Sequence, residues 1–488
     1  MSEIVTRFST IPRDRVLVTA PHTGQRWTAA ELDRCANLIA NALLHAGVRP
    51  GEVVASMLGN RPAALAAFLA CQYVGLTLLP LDRANTPVES KGTIEQLGAR
   101  VVLLSADTPT PEYCSEGVVI AHGISMFPVS ADAKRYEDAA VLKVTSGSSG
   151  LPKATVTTEA QLCGDSESII AAMGVRPEDT QLAVIPLSHA YAIGNLVVPL
   201  LMQGTAIVLR EGFIPDCVID DAHAFGARLW PGVPFMFEHL RENPPPRWPE
   251  TLAQLISAGA PLVPATARGL HDAFGVGVHA FYGTSESGGI SYEDRPAPGA
   301  PASDGVLVGH PLPGVTVTLR DETDVPAGVG RIHVATRGVS KGYAGLDDGS
   351  FIDGGFLTGD LGRFDGEGRL VLTGRVSSFV NVAGRKVQPG EVESVLRRCP
   401  GVEDVRVIGV RDPKRGEALA ACVISTAKEV TEADIRRFCT TRLAAHKIPR
   451  VVVLLRQWPL SDRGKVERAT LVARAEAALH RRNSRAML

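Results

Sequence analysis

What most constrains this chain is an alternation kept up over most of its length. Short apolar runs that read as strands take turns with segments whose apolar residues recur at helical spacing. "EVVASML", "LTLLPL", "QLAVIPL", "TAIVLR", "QLISAG" and "VHAFYG" are the strand-like runs. Between them lie stretches such as "WTAAELDRCANLIANALLHAGVRPG", where Thr28 can cap a helix and Gly47 can stop it. Strands buried on both faces and separated by helices imply parallel sheets with covering helices, so an α/β architecture is expected. With 488 residues the chain is too long for one ordinary domain, and two to four compact units follow. From about Val306 the texture shifts to short strands with Gly and Asp turns ("VTVTLRD", "GRIHVATRG", "GRFDGEGRLVLTGR"), a small β-rich subdomain over about 306–375. Beyond Gly374 it shifts again, to α+β. The expected division is a large N-terminal domain, 1–375, of parallel-rich sheets covered by helices, and a small C-terminal α+β domain, 376–488. The polar end, "RRNSRAML", is expected to fray.

Composition narrows the classes. Hydrophobic residues make up 45% and charged residues 21%, enough apolar material for real cores. The net charge of -2 is spread along the chain, so no basic field argues for nucleic acid or an anionic membrane. Eight scattered cysteines, without a CxxC pair or zinc spacing, and a start lacking a signal-peptide core favour free thiols in a reducing, cytoplasmic setting. The apolar stretch Ala63–Leu81 is nearly long enough to span a bilayer, but Gly75 divides it into a helix and a short strand, so no membrane span is expected.

Four segments carry candidate chemistry. In "VTSGSSGLPKAT", Val144–Thr155, Gly147 and Lys153 stand at the spacing of a Walker loop. Pro152 occupies the place of that loop's second glycine, and Ala154 that of its magnesium-binding hydroxyl. Glycines and hydroxyls beside a lysine still suit an anion, since backbone N–H groups can approach phosphate oxygens; by itself the loop is equally a surface turn. In "FYGTSESG", directly after a strand, an aromatic ring can stack a base and Glu286 supplies a hard oxygen for Mg²⁺; a turn with an exposed carboxylate is the alternative. In "FLTGDLGRFDGEGRLVLTGR", Asp360 follows a tight turn and can accept from ribose hydroxyls, with Arg375 at the end of the next hairpin. Alone they are a solvated acid and a surface base. Lys465 in "PLSDRGKVER" is unremarkable alone.

In order and spacing, however, these segments resemble the signature motifs of the ANL superfamily of adenylate-forming enzymes: acyl- and aryl-CoA synthetases, nonribosomal peptide adenylation domains and firefly-type luciferases. "TSGSSGLPK" is similar to its phosphate loop, "YGTSE" to its adenine and magnesium motif, "TGD" to its ribose motif and "GKVER" to its catalytic lysine motif. "ISAGAPL" is similar to its adenine-pocket segment, "PLSHAYAIGN" to the segment gating its acyl pocket, and "GRVSSFVNVAGRKVQPGEVE" to its hinge and acceptor-side motif. The resemblance runs from about residue 15 to 475.

The resemblance implies ATP-dependent activation of a carboxylic acid to an acyl-adenylate with release of pyrophosphate, then thioester formation with coenzyme A. Lys465 would bridge the carboxylate and the α-phosphate, a preorganised charge worth about 3–4 kcal/mol. Glu286 would hold Mg²⁺. Thr145, Ser146, Gly147, Ser148, Ser149, Gly150 and Lys153 would bind the leaving pyrophosphate. Gly259, Ala260, Pro261, Tyr282, Gly283, Thr284 and Ser285 would bind the nucleotide at the adenine motifs, Tyr282 stacking on the base, with Asp360 and Arg375 on the ribose and Leu372 also among the ATP- and AMP-binding residues. His189, Trp230, Val233, Pro234, Ser257, Ala258 and Gly283 would line the acyl pocket, although His189 can also be a structural histidine. The C-terminal domain would be a mobile lid turning about Ser377, with Ala383 and Gly384 beside the thiol's path. Ser377 departs from the family's usual Asp or Lys, Ala154 from its glycine and Ser285 from its threonine. Small, apolar lining residues imply an uncharged acyl or aryl group, and "HAYAIGNLVVP" holds no acid for an α-amino group. The alternatives are a free-standing adenylation enzyme loading a carrier protein's phosphopantetheine in trans and, ranked lower, a nucleotide-binding relative without catalysis. A monomer or homodimer is expected.

Overall fold

The computed structural model describes residues 2–114, 116–129, 133–145, 153–262, 264–296, 305–322, 327–375, 380–383, 385–387, 389–412, 416–425, 430–459 and 468–485. They fall into two compact units. The larger takes in the chain up to Arg83, Ile94–Thr145, and Ala154 through the hairpin ending at Arg375. The smaller is built chiefly from the residues beyond it, together with Ala84–Thr93.

Two sheets organise the larger unit. In one, of seven strands among the described residues, Val53–Met57, Thr77–Pro80, Ala99–Ser105 and Ala139–Thr145 run parallel, and antiparallel strands extend one edge. The other holds Thr180–Ala183, Ala206–Leu209, Leu229–Gly232, Gln254–Ser257 and Gly277–Thr284 in parallel. At Gly277–Thr284 this sheet changes character. The chain turns back through Gly288–Tyr292, and antiparallel strands carry the same sheet on through residues 306–375. The expected β-rich subdomain is therefore hydrogen-bonded to the parallel sheet rather than set apart from it.

Local sequence explains the helices that cover these sheets. Thr28 caps Ala29–His45 in a reciprocal capping box with Glu31 and buries Leu32, Cys35, Ile39 and Leu43 beneath it; such a cap contributes about 1 kcal/mol. The stretch weighed as a membrane span is the buried helix Pro62–Val74. It ends at Gly75, whose φ of 66° lies in the left-handed region, and is followed by the strand Thr77–Pro80. No helix among the described residues is long and apolar enough to cross a membrane. None of the eight cysteines is paired, and burial pushes the Cys35, Cys71 and Cys163 thiols up to about 12.

In the smaller unit the antiparallel pair Val402–Asp412 and Gly416–Ser425 is joined in parallel by Val451–Leu455. Helices Pro389–Leu396 and Glu432–Thr440 add Val392, Leu396 and Ile435 to its core. The C-terminal helix runs from Arg468 to Arg485, so the backbone of the tail is helical through Arg485 where fraying was expected. Leu471, Ala475 and Leu479, at helical spacing, are buried on its inner face and hold it against the sheet.

Candidate functional site

The C-terminal ends of the parallel strands are where an open α/β sheet offers a crevice, and the candidate residues of the larger unit collect there and along the adjoining antiparallel ladder. Asp360 lies within the strand Gly355–Phe364 rather than after a turn, in register with Arg375 on the neighbouring strand. Residues opposite each other on an antiparallel pair share a face, and the Arg375 Nε donates to Asp360 Oδ1. The Tyr282 hydroxyl donates to Asp360 Oδ2 at 2.7 Å, and Thr358 Oγ1 accepts from the Asp360 backbone N–H at 3.0 Å. Asp360 is 5% exposed and Tyr282 8%. Burial, reinforced by the Asp360 charge, pushes the Tyr282 phenol far above its usual range, so it is a neutral donor. Leu372 is half-buried on the Arg375 strand and pairs with Gly362.

Glu286 sits at the turn joining Gly277–Thr284 to Gly288–Tyr292; the first half of "FYGTSESG" belongs to the strand instead of following it. Thr284 Oγ1 closes the turn by accepting from the Ser287 N–H at 3.1 Å. Gly283 is required by space, since a Cβ there would lie 2.6 Å from the Gly288 carbonyl oxygen. Ser285 and half-buried Glu286 are left at the tip, and the Tyr343 hydroxyl donates to Glu286 Oε1 at 2.8 Å. Burial and the Glu286 charge push the Tyr343 phenol up, so it too stays a neutral donor. Among the described residues no lysine or arginine is salt-bridged to Glu286, and its second oxygen suits a hard divalent cation that keeps phosphate and water ligands.

The acid side is looser. His189 stands before a short helix that passes into a π-helical turn, Ile193–Val197, an irregularity frequent at functional sites. Its ring is 46% exposed, with Nε2 3.5 Å from Asp82 Oδ2. Tyr191 points inward, donates to the Ile256 carbonyl at 3.0 Å and stacks on Phe281 at 5.6 Å. Ser257 and Ala258 are buried at the end of their strand, and Ser257 Oγ finds no hydrogen-bond partner among the described residues. Trp230 is fully buried between Phe213 and Phe237, in the helix-covered core; Val233 and Pro234 open the helix that follows. Gly259, with φ +84°, starts an exposed turn with Ala260 and Pro261.

Thr145 ends one strand and Lys153 begins the next. Ser146, Gly147, Ser148, Ser149 and Gly150 between them lie outside the described residues, as do Ser377, Gly384 and Lys465. In the smaller unit Ala383 adopts φ 51°, a strained conformation for a residue with a Cβ and one that concentrates at functional sites. Sequence reasoning missed Tyr343, Tyr191, Thr358 and Asp82. The partners of Tyr343, Tyr191 and Asp82 are remote in sequence, and no periodicity or spacing announces them; Thr358 stands two residues before its partner Asp360, inside the motif "TGD", where its hydroxyl could have been read as a local acceptor.

Residues 6–344 match the family described as AMP-binding enzyme, and residues 391–465 match the AMP-binding enzyme C-terminal domain. The chain belongs to the AMP-binding enzyme family. It is thereby a member of the ANL adenylate-forming superfamily and an AMP-forming ligase. A feruloyl-CoA synthase from Amycolatopsis sp is 30% identical over 475 residues, covering 91% of this chain and 93% of that protein. An amide bond synthetase from Marinactinospora thermotolerans is similar in structure with TM-score 0.84 and 27% identity, over 97% of this chain and 99% of that one. An o-succinylbenzoate CoA synthetase from Bacillus subtilis shares the fold with TM-score 0.86 at 24% identity, over 97% of this chain and 99% of that one.

Proposed function

We propose that this AMP-binding enzyme activates an uncharged acyl or aryl carboxylic acid with ATP to an acyl-adenylate, and then passes the acyl group to the thiol of coenzyme A. The observation that carries the nucleotide half is the buried Tyr282–Asp360–Arg375 cluster. A carboxylate held by a strand register, a phenol and a guanidinium is preorganised to accept from a ribose's hydroxyls without moving. Tyr282 and the turn at Gly259–Pro261 take the adenine side. Mg²⁺ would be held by the Glu286 oxygen left over from Tyr343, and when bound it supplies positive charge to the phosphates.

On the acid side, Ser257 Oγ is a buried hydroxyl that an acid's oxygen would satisfy, next in the chain to the Ile256 carbonyl that accepts from Tyr191. Lys465 is assigned the charge that lets one anion attack another, by its place in the motif Pro459–Arg468. Ser377 as hinge, Ala383 and Gly384 on the thiol side, Thr145–Gly150 with Lys153 on pyrophosphate, and the division at 375/376 belong to the same reading.

The test is acid-dependent ATP–pyrophosphate exchange over fatty, aryl and amino acids, followed by addition of coenzyme A. Exchange with one acid class and a coenzyme A thioester is the expected result. The likeness to an amide bond synthetase favours a second acceptor, so an amine and a phosphopantetheinylated carrier protein are offered in parallel. An amide or a loaded carrier without a thioester would overturn the acceptor. No exchange with any acid, despite ATP binding, would overturn the adenylation reading.

A further inference from the structure

Two buried side chains of opposite charge, Lys143 and Asp165, lie on residues that no part of the proposed chemistry uses. Lys143 belongs to the strand Ala139–Thr145, between Leu142 and Val144, and is 4% exposed. Asp165 faces inward from the helix Glu159–Met173 and is 8% exposed. A lone charge in such a place would be costly, and an opposite charge in the same interior, together with a hydrogen bond to the carboxylate, lowers that cost.

The backbone around Asp165 is built to reach its carboxylate. The Gly289 N–H donates to Oδ1 at 2.8 Å. A Cβ at Gly288 would lie 2.3 Å from Asp165 Cγ, one at Gly338 would lie 3.0 Å from its Cβ, and one at Gly194 would lie 3.0 Å from Oδ2. Gly288 and Gly289 are the strand that leaves the Glu286 turn. Gly338 precedes Ser340, whose N–H donates to the Glu286 carbonyl at 2.8 Å, and Tyr343, whose hydroxyl holds Glu286 Oε1. Both chain segments that fix Glu286 therefore pack on one residue, Gly288 and Gly289 on the Asp165 carboxylate and Gly338 on its Cβ. Lys143 acts electrostatically on Asp165 and on Glu286 together. Burial draws the lysine down and the aspartate up, and the pair is net neutral on whichever partner the proton sits.

We infer that Asp165, with Lys143 as its buried counter-ion, is a positioning residue that sets the Glu286 turn against the phosphates of ATP; this rests on the assignment of Glu286 above. The experiment compares ATP affinity, by calorimetry with and without Mg²⁺, and melting temperature across wild type, Lys143→Met, Asp165→Asn and the double variant. No acid substrate is needed. Lys143→Met strands Asp165 without its counter-ion, and binding of ATP with Mg²⁺ is expected to weaken by about tenfold, within the range of coupled charged neighbours. Asparagine keeps the acceptor for the Gly289 N–H without the charge, so Lys143→Met with Asp165→Asn should recover the affinity to within about threefold. Should Lys143→Met fail to fold, the folded double variant carries the test by the same criterion. A fall in melting temperature with unchanged ATP affinity would make the pair merely structural and overturn the inference. A double variant with wild-type melting temperature but affinity as weak as Lys143→Met would overturn it too, in favour of direct contact between Lys143 and the nucleotide. Wild type binding no ATP would sink the nucleotide reading itself.

Discussion

Asp360, assigned above to the ribose, and His189, assigned to the mouth of the acyl pocket, are held in opposite ways. Asp360 is 5% exposed and has a strand register, an arginine and a tyrosine to fix it. His189 has a ring 46% exposed and one carboxylate 3.5 Å away. Even that carboxylate is supported at one remove. Arg83, next to Asp82, joins Arg61, Asp107 and Glu211 in an alternating square of charges that ties together the loops at the strand ends. The contrast matches two different tasks. A nucleotide is the same in every turnover and rewards a rigid, dry cradle, whereas the mouth of an acyl pocket has to admit and release its acid. Rigid geometry is bought with burial, and burial makes each partner expensive to remove.

Three substitutions test how deep that contrast runs. Asp360→Ala should have the largest effect. It leaves the Tyr282 hydroxyl and Arg375 without their shared acceptor, and a loss of about 3 kcal/mol, or more than a hundredfold in ATP affinity, is expected for a buried charge-assisted cluster. Calorimetry reads it directly; affinity within a few-fold of wild type would mean that the cluster is structural. Next comes Tyr343→Phe, which keeps the ring's T-shaped contact with Phe351 but removes the donor to Glu286. About 1 kcal/mol is at stake, roughly fivefold in KM for ATP with Mg²⁺ and little in KM for the acid. A change confined to the acid would place Tyr343 on the wrong end. The smallest effect should come from Asp82→Asn, because a half-exposed contact between a carboxylate and an imidazole contributes no more than a surface ion pair does, about 0.2–1 kcal/mol. Steady-state kinetics should show at most about a fivefold rise in KM for the acid and none for ATP. A large loss there would mean that the mouth is as tightly determined as the ribose corner, and the contrast would fall.

The residues themselves show how far the sequence could be read. The helix Ala29–His45 was legible because its cap, its apolar spacing and its stop are local. Gly75 divided Ala63–Leu81 for an equally local reason, a left-handed backbone after the last helical turn. Placing Asp360 after a tight turn was a misreading; the glycines of "LTGDLG" lie in an extended strand, where pairing with Val371, Leu372 and Gly374 overrides their turn preference. The tail is helical as far as Arg485 because Leu471, Ala475 and Leu479, earlier in the same helix, pack on a sheet from elsewhere in the chain; its last three residues lie outside the described ones.

The sequence by itself determined the class of fold, through the alternation of periods, and the family, through motifs whose residues lie within ten or twenty positions of one another. It named Glu286, Asp360, Arg375 and Tyr282. Tertiary structure alone decided what those residues touch. Tyr343 reaches Glu286 across 57 positions, Tyr282 reaches Asp360 across 78, and Asp165 reaches Gly289 across 124. The physical reason is that a motif records what a ligand demands of a short segment, while the hydrogen bonds that hold the segment still come from wherever the folded chain passes. Such partners leave no period, spacing or composition in the sequence, and only the packed sheets bring them together.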